Sequence, residues 1–210
     1  MQHVDRRVDL RVPLGEVQEA RRLGASWDEE TRTWFVPEDM DPSLFGRWLP
    51  KTVNVRSATY YIAQVPEMCW KCGHPILVFG FFLPKGYQVL MDEDREPDEP
   101  EEDFWEEMED VGKLSYIEYL TPTVQSRMLT LAPHYKRVWS KAARLWYWMN
   151  HCPECGIQQG DHYLFNEPAA AFLPTQFGAA REIRLHRIDQ PLKAAASYGE
   201  AESFAYLWRT

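Results

Sequence analysis

Long apolar runs are missing from this sequence. No stretch approaches the roughly 20 residues that a membrane-spanning helix needs. The first residues, Met1-Gln2-His3-Val4-Asp5-Arg6-Arg7, also lack the apolar core of a secretory signal. These two absences set the expectation of a cytoplasmic protein. Several catalytic signatures are missing too. There is no G-x-x-x-x-G-K-[ST] phosphate loop, no G-x-G-x-x-G, no H-E-x-x-H and no G-x-S-x-G turn. The zinc deaminase pattern is not met either. Asn150-His151-Cys152-Pro153-Glu154-Cys155 resembles its second half superficially, but the proline before the first cysteine is absent and no H-x-E or C-x-E lies upstream. The balance of motifs favours a binding protein over an enzyme.

Cysteine is scarce, and its placement is informative. The chain has four, in Cys69-Trp70-Lys71-Cys72-Gly73 and Cys152-Pro153-Glu154-Cys155-Gly156. Both pairs read C-x-x-C-G. A tetrahedral zinc ion takes four thiolates, and two tight knuckles supply them in pairs. The glycine after each pair suits the chain reversal, because it carries no Cβ. A single redox centre needs one pair, and two disulfides suit a secreted chain, so matched pairs point to metal. The expected cofactor is a structural Zn2+ on Cys69, Cys72, Cys152 and Cys155. His74, His151 and His162 lie near the cysteines but are not needed to complete the set. The two pairs are separated by 79 residues, so the knuckles must meet across an inserted body.

Charge is unevenly spread. Residues 91–110 hold 13 Asp/Glu and one Arg, a local balance of −12 in a chain of net charge −9, so the rest carries +3. An acidic strip is therefore attached to a mildly basic body. Aromatics are plentiful, at 14% with nine tryptophans, which excludes a disordered composition.

Local patterns suggest the elements. Val8-Asp9-Leu10-Arg11-Val12 alternates as a half-buried strand. Gly15 to Gly24 reads as a helix, Thr33 to Val36 as a second strand, and Pro42 to Leu49 as a short helix. Tyr60 to Val65 reads as a strand leading to the first knuckle, and the apolar Pro75–Leu83 run as a buried strand. Gly80 suggests a bulge. Residues 113–150 read as helical in two pieces divided by Pro133. Tyr163–Phe165 reads as a strand, and Glu200 to Trp208 as a terminal helix.

The first fifth of the chain resembles a known module. Leu10-Arg11-Val12-Pro13, Glu16 through Asp28, and Arg32-Thr33-Trp34-Phe35-Val36-Pro37 are similar to the DUF5710-type pattern L-x-V-P-x-x-E-K-x-x-A-K-x-L-G-A-x-W-D-x-x-x-K-x-W-Y-V-P. Arg21 and Arg32 stand where lysines are usual, and Val17 replaces the lysine after the glutamate. The module accompanies conjugative primases and other proteins of mobile elements. The resemblance implies an accessory, nucleic-acid-associated module and brings no catalytic residues. Trp27 and Trp34 read as core of a small module, or as a stacking surface for a base.

The expected fold class is α+β. Residues 1–50 form a small αβ module like DUF5710. Residues 51–210 form a split zinc ribbon with an acidic strip (91–110) and a helical insert (113–150). The leading functional expectation is a non-catalytic, zinc-stabilised protein that engages a macromolecular partner. In one version Asp92, Glu93, Asp94, Glu101, Glu102 and Asp103 engage a basic protein, as an inhibitor or immunity protein engages a nuclease toxin. In the alternative, Arg127, Lys136, Arg137, Lys141 and Arg144 with Trp139 bind DNA or RNA, since cations track a backbone while aromatics stack bases. A nucleic-acid-processing enzyme with dispersed carboxylates is the third reading.

Overall fold

A computed structural model describes residues 8–49, 52–91, 104–167, 170–173 and 183–201. The chain divides into two compact units, Met1–Thr52 and Val53–Thr210.

The first unit has three short strands and a helix. Strand β1 is Val8–Leu10, helix α1 Val17–Arg22, β2 Ser26–Asp28 and β3 Thr33–Val36. The strands pair antiparallel in the order β1-β3-β2. Alternation in β3 sends Trp34 and Val36 inward, where they meet Leu10, Ala20, Phe45 and Trp48. Between β2 and β3 the Asp28 carboxylate accepts the N–H groups of Glu30 and Thr31, and Arg32 adopts a positive φ. Trp34 is therefore core, as its place in a small module demands. Trp27 is 38% exposed and leans on Trp34 at 5.4 Å.

The second unit overturns the expected fold class. It is built around a curled eight-stranded antiparallel sheet, and strand is the dominant structure throughout. Its strands are β4 (Val55–Ser57), β5 (Tyr60–Met68), β6 (Pro75–Leu83), β7 (Gln88–Leu90), β8 (Trp105–Glu107), β9 (Gly112–Leu120), β13 (Arg184–Ile188) and β14 (Leu192–Glu200). They lie in the order β13-β5-β6-β9-β14-β4-β7-β8. Between β9 and β13 the chain forms helix α2 (Pro122–Leu131), strands β10 (Lys136–Ser140), β11 (Leu145–His151) and β12 (Gln158–Gln159), and one wide helical turn at His162–Asn166. The first knuckle is thus the turn of the long β5–β6 hairpin within this sheet. The split ribbon with a helical insert is not the architecture.

Both faces of β6 are covered. Phe79, Phe81 and Leu83 enter a core with Ile62, Val124 and Met128. Ile76, Val78 and Phe82 enter a second core with Leu164, Phe165 and Phe172. That double burial is why its sequence is apolar without alternation. Gly80 is not a bulge. It pairs regularly with Ala63, and a Cβ there would come within 2.9 Å of the Phe165 ring.

Residues 113–150 are mostly strand, with α2 their one helix. The helical reading failed at β9 for a physical reason. A bulge sets Ala195 opposite Tyr119 and Ser197 opposite Ser115, and Tyr116 takes φ +48°. The extra residues shift the buried set to Gly112, Leu114, Ile117 and Leu120. A strand with that defect shows spacings of three and imitates a helix. Tyr163–Phe165 belongs to the wide turn, not to a strand, and Glu200 ends β14. Residues 202–208 of the expected terminal helix lie outside the described residues.

The bulge is tied down by Asp161. Its carboxylate is buried and accepts the Tyr116 N–H at 2.7 Å. Burial pushes its pKa up to about 7, although the Tyr116 bond favours the charged form. Below about pH 4 it is protonated in both folded and unfolded chains. Between there and about pH 7 the unfolded chain ionises while the folded one holds the proton, so stability falls with rising pH. Asp161→Asn is expected to remove this loss, about 1.4 kcal/mol per pKa unit. Urea denaturation of both proteins across that range reads the widening difference. At Gly112 a Cβ would lie 2.5 Å from the Tyr87 ring. Gly112→Ala is expected to cost about 1–3 kcal/mol by overpacking, measured in the same denaturation experiment.

Candidate functional site

The four cysteines converge. All four sulfurs lie within 4.8 Å of one another. Cys69 and Cys155 are 3.7 Å apart, as are Cys72 and Cys152. These separations are far longer than a disulfide, about 2.05 Å. They match the edge of a sulfur tetrahedron around a zinc-sized ion, about 3.8 Å for bonds of ~2.3 Å. The set can therefore hold a metal ion.

The two knuckles are built alike. Gly73 N–H donates to the Cys69 carbonyl at 2.9 Å, and Gly156 N–H to the Cys152 carbonyl at 3.0 Å. Cys69 N–H donates to His74 C=O and Cys152 N–H to Ile157 C=O, both at 2.9 Å. Gly73 and Gly156 have φ of 68° and 69°, the left-handed conformation that a side chain resists. This is what the glycine after each pair supplies.

Nearby groups orient the sulfurs. The buried Gln159 carboxamide reaches Cys69 Sγ at 3.5 Å, and Cys155 N–H approaches Cys152 Sγ at 3.5 Å. Burial raises the Cys69 pKa, but the backbone N–H groups of Cys72 and Lys71 and the neighbouring thiols outweigh it and bring it to about 6. At Cys72 the His74 N–H favours the thiolate, yet burial and the other three sulfurs push it up to about 12. Contacts among the sulfurs thus favour the thiolate at Cys69 and oppose it at Cys72. Two of the neighbouring histidines are engaged elsewhere: the His151 ring meets Met149 C=O at 3.0 Å, and His162 meets Glu167 at 3.0 Å.

The cationic candidates divide. Lys136, Arg137 and Trp139 lie on β10, and Lys141 and Arg144 in the turn to β11; Arg127 lies on α2. The β10–β11 register pairs Arg137 with Trp148 and Trp139 with Trp146 on one face, and sends Tyr147 and Met149 to the other, buried one. Trp139 is 43% exposed and lies 6.2 Å from Trp146, tilted by 55°. The Arg137 guanidinium sits 6.0 Å from the Trp146 ring and donates to Glu118 C=O. Trp148 is used internally, stacked on buried Tyr135. Asp92, Glu93, Asp94, Glu101, Glu102 and Asp103 lie outside the described residues.

A cavity of about 520 Å3 borders the site, lined by Pro66, Leu77, Phe79, Tyr135, Asn150 and His151 among others. Along it the Asn150 carboxamide takes the Phe79 N–H and gives a hydrogen to the Phe79 C=O, both at 2.8 Å. Sequence reading missed the roles of Gln158, Gln159 and Asn150. Their only signal is a polar doublet just after the second knuckle and an amide just before it.

The family match falls within the first unit. Residues 7–50 match DUF5710, a domain of unknown function. Two DNA primase TraC proteins of Escherichia coli resemble this chain, at 45% identity over 42 residues and 41% over 39. The matches cover 20% and 19% of this chain but 4% and 3% of the primases. No solved structure matches the chain significantly. Among the described residues no helix is long and apolar enough to cross a membrane.

Replacing one ligand is expected to release metal and stability together. Cys152→Ser should drop bound metal from one equivalent to none by elemental analysis and abolish cooperative thermal unfolding of the second unit. Full metal retention in that variant would exclude the four-sulfur site.

Proposed function

We propose that this protein is a non-catalytic, zinc-stabilised accessory factor that binds nucleic acid through the β10–β11 hairpin. The observation that carries the reading is the outer hairpin face, where Trp139 and Trp146 stand beside Arg137, with exposed Lys141 and Arg144 in the adjoining turn; Lys136, opposite Met149, belongs to the other face. Cations neutralise phosphates and exposed rings stack on bases. No acidic residue interrupts the chain from Arg127 to His151. The DUF5710 segment agrees with it, because the similar TraC proteins are DNA primases.

Zinc is the metal of choice on chemical grounds. Four thiolates at tetrahedral spacing suit a soft, closed site. Such a site leaves no position for water, so its role here is to clamp the β5–β6 turn to the β11–β12 turn, not to catalyse. The acidic stretch supports a second reading, in which a basic, nuclease-like protein is bound. The hairpin ranks first because Arg137, Trp139 and Trp146 share one described face, next to the turn that carries Lys141 and Arg144.

Anisotropy titration of the zinc-loaded full chain with a 20-nucleotide labelled DNA tests the reading. Affinity should fall steeply between 50 and 200 mM salt, and Lys141→Ala/Arg144→Ala should lower the logarithmic salt slope by roughly 1.5. Absence of binding, or binding indifferent to salt and to these lysine and arginine changes, would exclude a nucleic-acid interface here.

A further inference from the structure

We infer that the nucleic-acid surface continues from the hairpin over the first cysteine knuckle, where Trp70 and Lys71 extend it, and that its occupant is a single strand. The inference rests on the hairpin reading. Trp70 lies between Cys69 and Cys72 and is 65% exposed. So much exposure is unusual for a large aromatic side chain, which is mostly buried on average. Its indole is nevertheless anchored: the ring N–H donates to Gln158 C=O at 2.8 Å. The carboxamide of the same Gln158 approaches Trp139 C=O at 3.5 Å. One residue of β12 therefore bonds the indole of the knuckle tryptophan and reaches the backbone of the hairpin tryptophan.

The surface so formed runs Trp146, Trp139, Gln158, Trp70. Trp139 and Trp146 are tilted against each other, not stacked, so their faces are not spent on one another. Exposed Lys71 adds a cation at the knuckle end, and Lys141 and Arg144 supply the turn end. Two acids lie close to this track in sequence, half-exposed Glu67 before Trp70 and exposed Glu154 of the second knuckle. The cationic excess selects a polyanion over an apolar protein face. The separated aromatic faces select unpaired bases, because a duplex hides its base faces within the stack.

The same cysteines that hold the metal hold the backbone of Trp70. The knuckle thereby fixes a stacking platform as well as the fold, and Trp70 acts on the ligand directly.

The test uses the zinc-loaded full chain and fluorescein-labelled (dT)15, with a 15-base-pair duplex as competitor. Trp70→Ala should weaken (dT)15 binding about tenfold, while Trp70→Phe, which keeps a ring and loses the N–H, should retain most of the affinity. The duplex should bind at least tenfold more weakly than the single strand. Zinc content and melting temperature should be unchanged in both variants, since the side chain is exposed. If Trp70→Ala binds normally while Lys141→Ala/Arg144→Ala does not, the knuckle extension is wrong and the hairpin reading stands. If Trp70→Phe is as weak as Trp70→Ala, the residue is an anchor for Gln158 and the stacking role is overturned. Equal affinity for the duplex overturns the single-strand assignment. Failure of the unaltered protein to bind either probe overturns both readings.

Discussion

Two thiol pairs separated by 79 residues must reach one ion-sized space, and each pair must present both sulfurs to it. The β5–β6 turn can meet the β11–β12 turn only if the intervening chain returns to where it left. It does so through β9, a strand of the sheet, then through α2, whose Val124 and Met128 pack into the core on one face, and the β10–β11 hairpin. The two knuckles repeat the same hydrogen bonds and the same left-handed glycine, so each arrives with its sulfurs preset. The sulfur contacts push Cys69 down and Cys72 up, in opposite directions. Metal binding and closure of the chain are consequently one equilibrium.

The legible parts of the sequence were those where a residue type has one dominant use. The C-x-x-C-G pairs, the buried Pro75–Leu83 strand and Thr33–Val36 all sit where composition places them. The illegible part was 113–150, and two local features explain it. The β9 bulge converts an alternation of two into spacings of three. The β10–β11 turn, Lys141-Ala142-Ala143-Arg144, is made of strong helix formers and has none of the usual turn residues. Arg144 takes a positive φ there, and the Ser140 hydroxyl accepts the Ala143 N–H in place of a glycine turn. Tertiary pairing outweighs propensity at both places.

That misreading had a cost at the candidate interface. On a helix, Trp146, Tyr147 and Trp148 would point three ways. On a strand, Trp146 and Trp148 share a side with Trp139 and Arg137, and Tyr147 takes the other with Lys136. The basic and aromatic residues were recognisable by type, but their common face required the pairing. Trp70 carried less warning still: between two cysteines it reads as filler, and only its bond to Gln158 connects it to the hairpin.

The Asn150 carboxamide completes the hydrogen bonding of Phe79 at a point where β6 has moved beyond the reach of β9, whose pairing with it covers Phe81 to Leu83. A side chain there behaves as a one-residue strand. An open, apolar strand edge is a template on which another polypeptide can add itself. Asn150 occupies that template at Phe79, one position before the second knuckle's His151-Cys152. The short segment that carries Cys152 thus also closes the β6 edge, and replacing this one amide would leave both backbone groups of Phe79 without these bonds while every sulfur stayed in place.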